Sequence, residues 1–265
     1  MPPPISSVSH VSDTARWVAM YRAMESERPD ALFRDPWARK LAGTEGEAIL
    51  DSIPKGREMA WPMIVRTHVM DELILRAIAR DGVDTVLNLA SGLDARPYRL
   101  ALPSSLRWIE ADFADMLSYK QSVLAGERPN CSLEFAPVDL TDDTARAAFL
   151  RRVGASSSRT FVITEGLIAY LQREQVARLA TGLAAQPSFR WWLTDLASPD
   201  LLQRLNKTWG KALQRAPLIF GPAEGTKFFE PYWWHEKEYR PIFDEALRLN
   251  RTMRFARVFR FIGNF

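Results

Sequence analysis

From Asp84 onward the sequence alternates between apolar segments of strand length and amphipathic segments, and this alternation is the feature that most constrains the fold. In chain order the strand-like segments are TVLNLA, LRWIEAD, SLEFAPVDL, TFVITEGL and FRWWLTDLA, with helical segments between them. Such a rhythm predicts a mainly parallel sheet with helices on both faces. Right-handed crossovers place the carboxyl ends of all the strands on one edge. Any ligand site is therefore expected at that edge.

The first 82 residues differ from the rest, because they contain helical patterns and no strand-like segment. A helix is predicted over residues 8–24, a short one closing on Gly43, and a long one after Pro62. Residues 198–250 are predicted to be helical with an interruption rich in Pro, Gly and aromatics, and MRFARVFRFIGNF alternates like a final strand. The predicted organisation is an N-terminal helical lid (1–82) followed by a Rossmann-like domain (83–265) with a helical insertion (198–250).

Composition excludes several classes of function. The 35 basic and 32 acidic residues are interspersed, which gives no electrostatic footprint for nucleic acid. A single cysteine and three scattered histidines offer neither a disulfide nor a metal cluster. No apolar stretch approaches the ~20 residues that cross a bilayer, and the N-terminus does not resemble a signal peptide. We expect a soluble cytoplasmic protein without a metal, and the sequence does not indicate its oligomeric state.

The first predicted strand ends in a turn of small residues, Ala90-Ser91-Gly92. Small side chains let a ligand approach the backbone, and Gly92 permits a positive φ. The next predicted strand ends in Asp112, twenty residues beyond Gly92. A carboxylate there can accept hydrogen bonds from a ribose diol, an arrangement used for both dinucleotide and adenosyl cofactors.

Charge distinguishes these two cofactors. A dinucleotide site needs later glycines beside the pyrophosphate, whereas this turn continues into Asp94, which would repel phosphate. S-adenosylmethionine carries no phosphate and has two cationic groups, so it suits acidic strand ends. Two further strands supply them, as Asp139-Leu140 for the adenine and Glu165 for the methionine end. Asp139 is equally compatible with a helix N-cap, with Thr141 as a competitor.

The segments VLNLASGLDARPYRL, WIEADF, VDL and ITEGLIAYL together resemble the leucine carboxyl methyltransferase family, most closely its bacterial branch of S-adenosylmethionine-dependent methyltransferases. DTARWVAMYRAMESERPDALFRDPWARKLAG and VRTHVMDELI extend the similarity, which runs from about residue 12 to residue 172. The resemblance implies a class I methyltransferase fold, which has seven strands, a last hairpin that inserts one antiparallel strand, and a helical lid.

The resemblance also implies roles for individual residues. Arg66 would pair with the methionine carboxylate, a task suited to a guanidinium. The other implied cofactor contacts are Gly92 at the methionine part, Asp112 at the ribose, Asp139 and Leu140 at the adenine, Glu165 at the methionine end, and Arg22 in the lid. The family's first turn usually has glycine where this chain has Ala90.

On the acceptor side the candidates are Tyr170 and His235, although Tyr170 is equally compatible with the core and His235 with an exposed helix start. The expected reaction is S-adenosylmethionine-dependent O-methylation of a small-molecule carboxylate or hydroxyl. Two alternatives remain, a nicotinamide-dependent oxidoreductase and a non-catalytic binding protein that retains the fold.

Overall fold

The computed structural model describes residues 11–53, 55–209 and 216–252, and its centre is a sheet of five parallel strands. The order across the sheet is β3-β2-β1-β4-β5. The strands are β1 (Thr85–Leu89), β2 (Arg107–Asp112), β3 (Ser132–Pro137), β4 (Thr160–Thr164) and β5 (Phe189–Thr194). The strand order reverses beside β1, and this confirms the parallel α/β sheet predicted from the sequence.

The two central strands, β1 and β4, are buried along their whole length, which explains their nearly continuous apolar sequences. Along β1 the side chains alternate between the two faces. Val86 packs with the cluster around α3 (Trp61–Asp81), whereas Leu87 packs with α6 (Asp143–Ala155) and α7 (Arg173–Ala184). Helices therefore cover both faces, as the alternation predicted.

The remaining helices are α1 (Val11–Ser26), α2 (Ala38–Ser52), α4 (Arg96–Arg99), α5 (Ala114–Val123), α8 (Pro199–Trp209) and α9 (Ile242–Arg248), with 3₁₀ helices at Glu58–Ala60, Ile168–Tyr170 and Gly225–Tyr232.

Local sequence explains several of the helix boundaries. Pro62 occupies the first turn of α3, and Gly82 ends it with a φ of +66°. The Asp142 carboxylate caps α6 by accepting from two backbone N–H groups.

Two expectations differ from the structure. The helix predicted to close on Gly43 continues to Ser52, because Gly43 adopts a φ of +63° and forms a kink rather than an end. The expected sheet has seven strands, whereas the described residues form five and residues 216–252 contain no strand. The predicted final strand, MRFARVFRFIGNF, lies outside the described residues.

The N-terminal helices pack over the edge of the sheet where β1 ends. Tyr21 of α1 and Leu41 of α2 share one apolar cluster with Leu93 and Tyr98, which follow β1. This packing brings α1 against the predicted ligand edge. No helix in the described ranges is both long enough and apolar enough to span a bilayer.

Candidate functional site

The turn after β1 has an unusual backbone conformation, because Ala90 and Gly92 have φ values of +53° and +50°. Gly92 donates its backbone N–H to Asp112 Oδ2 at 2.7 Å, which joins the end of β1 to the end of β2. A Cβ on Gly92 would lie 3.2 Å from the Ala15 Cβ of α1. Glycine is thus needed here for both the positive φ and the close approach of α1.

The left-handed conformation of Ala90 gives a testable prediction. An L-residue with a Cβ is strained in this region, and glycine is not. We expect Ala90→Gly to raise the free energy of unfolding by about 1 kcal/mol, after allowing for the extra freedom of glycine in the unfolded chain. Chemical denaturation will measure the change. The matched control is Ala95→Gly, at a buried position with negative φ, which should destabilise the protein. A loss of stability in Ala90→Gly would contradict the prediction.

Asp112 lies at the end of β2 with both carboxylate oxygens directed to backbone groups. Oδ2 accepts from Gly92 and Oδ1 accepts from Phe113 at 2.7 Å. Burial raises the pKa of Asp112, and the two N–H donors oppose that shift. Each carboxylate oxygen accepts more than one hydrogen bond. Asp112 can therefore also receive a ligand's hydroxyl groups.

Arg66 on α3 lies between two acids that follow neighbouring strands. Its Nε is 3.0 Å from Glu165 Oε1, after β4, and its Nη1 is 2.8 Å from Asp195 Oδ2, after β5. Burial works to lower the pKa of Arg66, but Glu165 and Asp195 raise it. The guanidinium is therefore charged. Arg66 does not pair with Asp71 or Glu72 of its own helix, the simpler possibility for an exposed helical arginine.

Arg96 connects Glu165 to two further acids that sequence reasoning did not select as site residues. This guanidinium is 2% exposed and bonds Asp71 at 2.6 Å, Asp94 at 2.8 Å and Glu165 at 2.7 Å. Burial works to raise the pKa of Glu165, but Arg96 and Arg66 lower it below its usual range. Glu165 is therefore held as a carboxylate. The sequence Asp94-Ala95-Arg96 could have indicated a charged group at this edge of the sheet. It does not show that Arg96 pairs with Asp71 and Glu165, which are distant in the chain.

Arg22 of α1 does not lie free in the lid. Its Nε is 2.9 Å from Asp35 Oδ2, and its Nη2 donates to the carbonyl of Leu93 just after the β1 turn. The contact with Leu93 ties the lid helix to the ligand edge. Arg22 therefore lies close to the predicted site, and its predicted contact with a cofactor remains a prediction.

Asp139 and Leu140 lie beyond the end of β3. The Asp139 side chain is exposed and accepts from Thr141 N at 2.8 Å and from Thr141 Oγ1 at 2.6 Å. The cap of α6 is Asp142, not Asp139 or Thr141. Leu140 lines the cavity described below, whereas the Asp139 carboxylate stabilises the turn beside it. An adenine contact of Asp139 remains a prediction.

One cavity of about 1600 Å³ joins these elements at the carboxyl edge of the sheet and continues along α3 as far as Arg80 and Asp81. Its lining includes eight of the nine predicted site residues: Arg22, Arg66, Gly92, Asp112, Leu140, Glu165, Tyr170 and His235. The volume exceeds the roughly 300–1,000 Å³ of a typical small-molecule pocket. It is large enough for two ligands side by side. In the described ranges no cluster of His, Cys, Asp and Glu has the form of a metal site.

The two acceptor-side candidates differ in their surroundings. Tyr170 lies near Arg66 and Asp195, and burial raises its pKa, which a hydrogen bond with Thr14 and the charge of Arg66 oppose. Its phenol is thus neutral. His235 is exposed at the margin of the cavity. Of the neighbouring tryptophans, Trp234 packs against Trp192, whereas Trp233 is 83% exposed.

Fold and site together define a doubly wound α/β protein with a large cavity where the strand order reverses. The sheet order, the small-residue turn after β1 and the acid after β2 are features of a Rossmann-like nucleoside-binding site.

Comparison with known proteins identifies the family. Residues 15–184 match the family model of leucine carboxyl methyltransferase, so the chain belongs to that family. A protein from Frankia alni is 37% identical over 189 residues, which cover 67% of this chain and 65% of that protein. Another from Mycobacteroides abscessus is 39% identical over 175 residues, covering 62% of this chain and 56% of that protein. Both are named as candidate S-adenosyl-L-methionine-dependent methyltransferases.

These relatives are longer than the shared segment, since the chain spans less than two thirds of each. Among solved structures, a DUF574 family protein from Streptomyces avermitilis aligns with a TM-score of 0.55 and 14% identity, covering 82% of this chain and 81% of that one. At this identity the alignment supports the fold alone.

Proposed function

We propose that this protein is an S-adenosylmethionine-dependent methyltransferase that acts on an oxygen of a small molecule. The observation that carries the proposal is that three strand ends and α3 bring Gly92, Asp112, Glu165 and Arg66 to one cavity. The relatives' names support the same activity.

The residues present fit the cofactor. The Asp112 carboxylate retains acceptor capacity for ribose hydroxyls, and Gly92, which has no side chain, lines the same cavity. Arg66 and its acidic neighbours match the opposite charges of an amino-acid end. The turn lacks the spaced glycines of a pyrophosphate site. Asp94 beside it is ionised, because burial raises its pKa but Arg96, Lys120 and Arg99 together lower it further. An adenosyl ligand without phosphate suits this charge pattern.

In the proposed reaction the chain's main task is to position two ligands. When bound, S-adenosylmethionine supplies a methyl group on a cationic sulfur, and transfer to an oxygen leaves a neutral thioether. Arg66 and Glu165 would hold the amino-acid end, and Asp112 the ribose. Helix α1 contributes Ala15, Trp17 and Val18 to the cavity lining, so it would limit access of water from that side. Fixing the geometry in this way can supply much of the rate enhancement.

The acceptor determines whether a base is needed. A carboxylate acceptor is already ionised at neutral pH, whereas a hydroxyl must lose a proton. The neutral Tyr170 phenol and the exposed His235 are the proposed acceptor-side residues, with Tyr170 orienting the acceptor and His235 available as a base.

We propose a division of the chain into three parts around this cavity. Residues 1–82 would act as the lid and 83–265 as the cofactor domain, with 198–250 as a helical insertion on the acceptor side. We further propose a cytoplasmic protein whose partner is a small-molecule acceptor rather than nucleic acid.

Calorimetry on the full chain tests the proposal. We expect binding of S-adenosylmethionine and S-adenosylhomocysteine and no binding of NADH. NADH binding in place of the adenosyl ligands would favour the nicotinamide-dependent alternative and contradict the proposal. Carboxylates and phenols would then be tested separately with a labelled methyl donor. Binding of the cofactor without transfer to any acceptor would favour a non-catalytic protein.

A further inference from the structure

Asp195 is an acid that lies in the cavity, outside the family-matched residues 15–184, and the reaction proposed above assigns it no ligand contact of its own. It directly follows β5, as Glu165 directly follows β4. The register pairs Thr164 with Thr194, so the two acids leave neighbouring strands at the same level. The sheet therefore presents two carboxylates side by side, with Arg66 between them.

Each group of this trio is fixed by a second contact. Asp195 Oδ1 accepts from the backbone N–H of Gly166 at 2.8 Å, while its Oδ2 meets Arg66 Nη1. Glu165 Oε2 is held by Arg96. Gly166 has a φ of +65°, and a Cβ there would lie 3.7 Å from Arg66 Nη1 and 3.8 Å from Nη2. The geometry is thus set by the backbone rather than by flexible side chains alone.

Accessibility separates the three groups. The side chains of Arg66 and Glu165 are 11% and 15% exposed, whereas that of Asp195 is 26% exposed. Within the described part of the chain, Arg66 Nη2 makes no hydrogen bond. Nη2 is therefore the donor that Arg66, which lines the cavity, has left for a ligand carboxylate, and Asp195 is the more exposed of the two acids for a ligand ammonium.

We infer that Asp195 binds the ammonium group of the cofactor's amino-acid end, while Arg66 binds its carboxylate and Glu165 orients Arg66. This inference rests on the proposed function, adds a binding residue to it, and narrows the role of Glu165 from holding the amino-acid end to orienting Arg66. A zwitterion matches the trio because one cation lies between two anions. The competing interpretation is that Asp195 only neutralises Arg66, in which case it would compete with the ligand carboxylate.

The two interpretations predict opposite effects of Asp195→Asn. Calorimetry would compare S-adenosylhomocysteine with 5′-deoxy-5′-methylthioadenosine, which has the adenosyl thioether but no amino-acid end. We expect Asp195→Asn to weaken binding of S-adenosylhomocysteine by roughly tenfold or more, because a charged hydrogen bond is lost. Binding of methylthioadenosine should be unchanged, which also shows that the adenosyl site is folded. Glu174→Gln, at an exposed acid of α7, should alter neither ligand.

Unchanged or tighter binding of S-adenosylhomocysteine by Asp195→Asn would overturn the inference and leave the proposed function intact. Failure of the unaltered protein to bind either ligand would overturn both. If Asp195→Asn also failed to bind methylthioadenosine, Asp195→Glu would be measured in its place, because it keeps the negative charge. The inference then requires that Asp195→Glu bind methylthioadenosine and bind S-adenosylhomocysteine more tightly. Equal or weaker binding of S-adenosylhomocysteine would overturn the inference.

Discussion

Replacement of Arg96 with methionine is expected to lower the free energy of unfolding by about 3–5 kcal/mol, because it removes the ion pair of the buried Asp94 and one of the two ion pairs of Asp71 and of Glu165. Arg96 contacts Asp71, Asp94 and Glu165, and none of these side chains is more than 15% exposed. Methionine retains much of the volume of arginine, so the loss reports charge rather than a cavity. Urea denaturation at neutral pH will measure the change.

A matched surface pair provides the control for Arg96→Met. Arg39 bonds Glu27 at 2.6 Å with both side chains about half exposed, so Arg39→Met should cost less than about 1 kcal/mol. An equally small cost for Arg96→Met would show that the buried network contributes little to stability.

The pH dependence of Arg96→Met gives a second check on its cause. In the unaltered protein Arg96 lowers the pKa values of Asp94 and Glu165 against the effect of burial, so their contribution to stability is present at neutral pH and is lost in acid. Without Arg96 both pKa values move upward, because burial is then opposed only by the remaining cations, which are Lys120, Arg99 and Arg22 near Asp94 and Arg66 near Glu165. Protonation of these carboxyls in acid therefore costs the variant less stability than it costs the unaltered protein. The stability deficit of Arg96→Met should therefore shrink between about pH 7 and pH 4.

The second large effect is expected at Asp112. We expect Asp112→Ala to weaken binding of S-adenosylhomocysteine by about 1.5–3 kcal/mol, through loss of charged hydrogen bonds to the ribose. Two structural bonds, from Gly92 and Phe113, disappear with the carboxylate as well. Calorimetry measures the affinity, and thermal unfolding identifies a contribution from loss of the turn.

Two variants separate recognition from structure at this position. Asp112→Asn keeps one oxygen for one of the two backbone donors and removes the charge, so it should lose less stability than Asp112→Ala and still bind more weakly. Asp115→Ala removes an exposed acid in the first turn of α5 and should bind like the unaltered protein. Full affinity in Asp112→Ala would remove Asp112 from the site.

Much of the fold was predictable because its signals are local. Strand-length apolar segments separated by amphipathic helices indicated the parallel sheet, and Pro62 indicated the start of the long helix α3. Gly43 was misleading because a positive φ can kink a helix as well as end it. A final strand over residues 253–265 stays a prediction.

The candidate site was predictable to the extent that it lies at strand ends. In a parallel sheet these ends meet at one edge, which is why Gly92, Asp112 and Glu165 could be placed together from sequence. The ion-pair partner of each charged group was harder to predict from the sequence. Asp139 illustrates this limit, since its carboxylate engages the adjacent Thr141 rather than lining the cavity.

The linear order of residues was enough to define the kind of sheet, its ligand edge and the negatively charged groups near that edge, since periodicity and strand ends are properties of neighbouring residues. Only three-dimensional packing decided that Arg66 lies between Glu165 and Asp195, and that Arg96 binds the second carboxylate oxygen of Glu165. These contacts join residues 69 to 129 positions apart. Charges so distant in the chain acquire their partners only when the sheet and its helices bring them together.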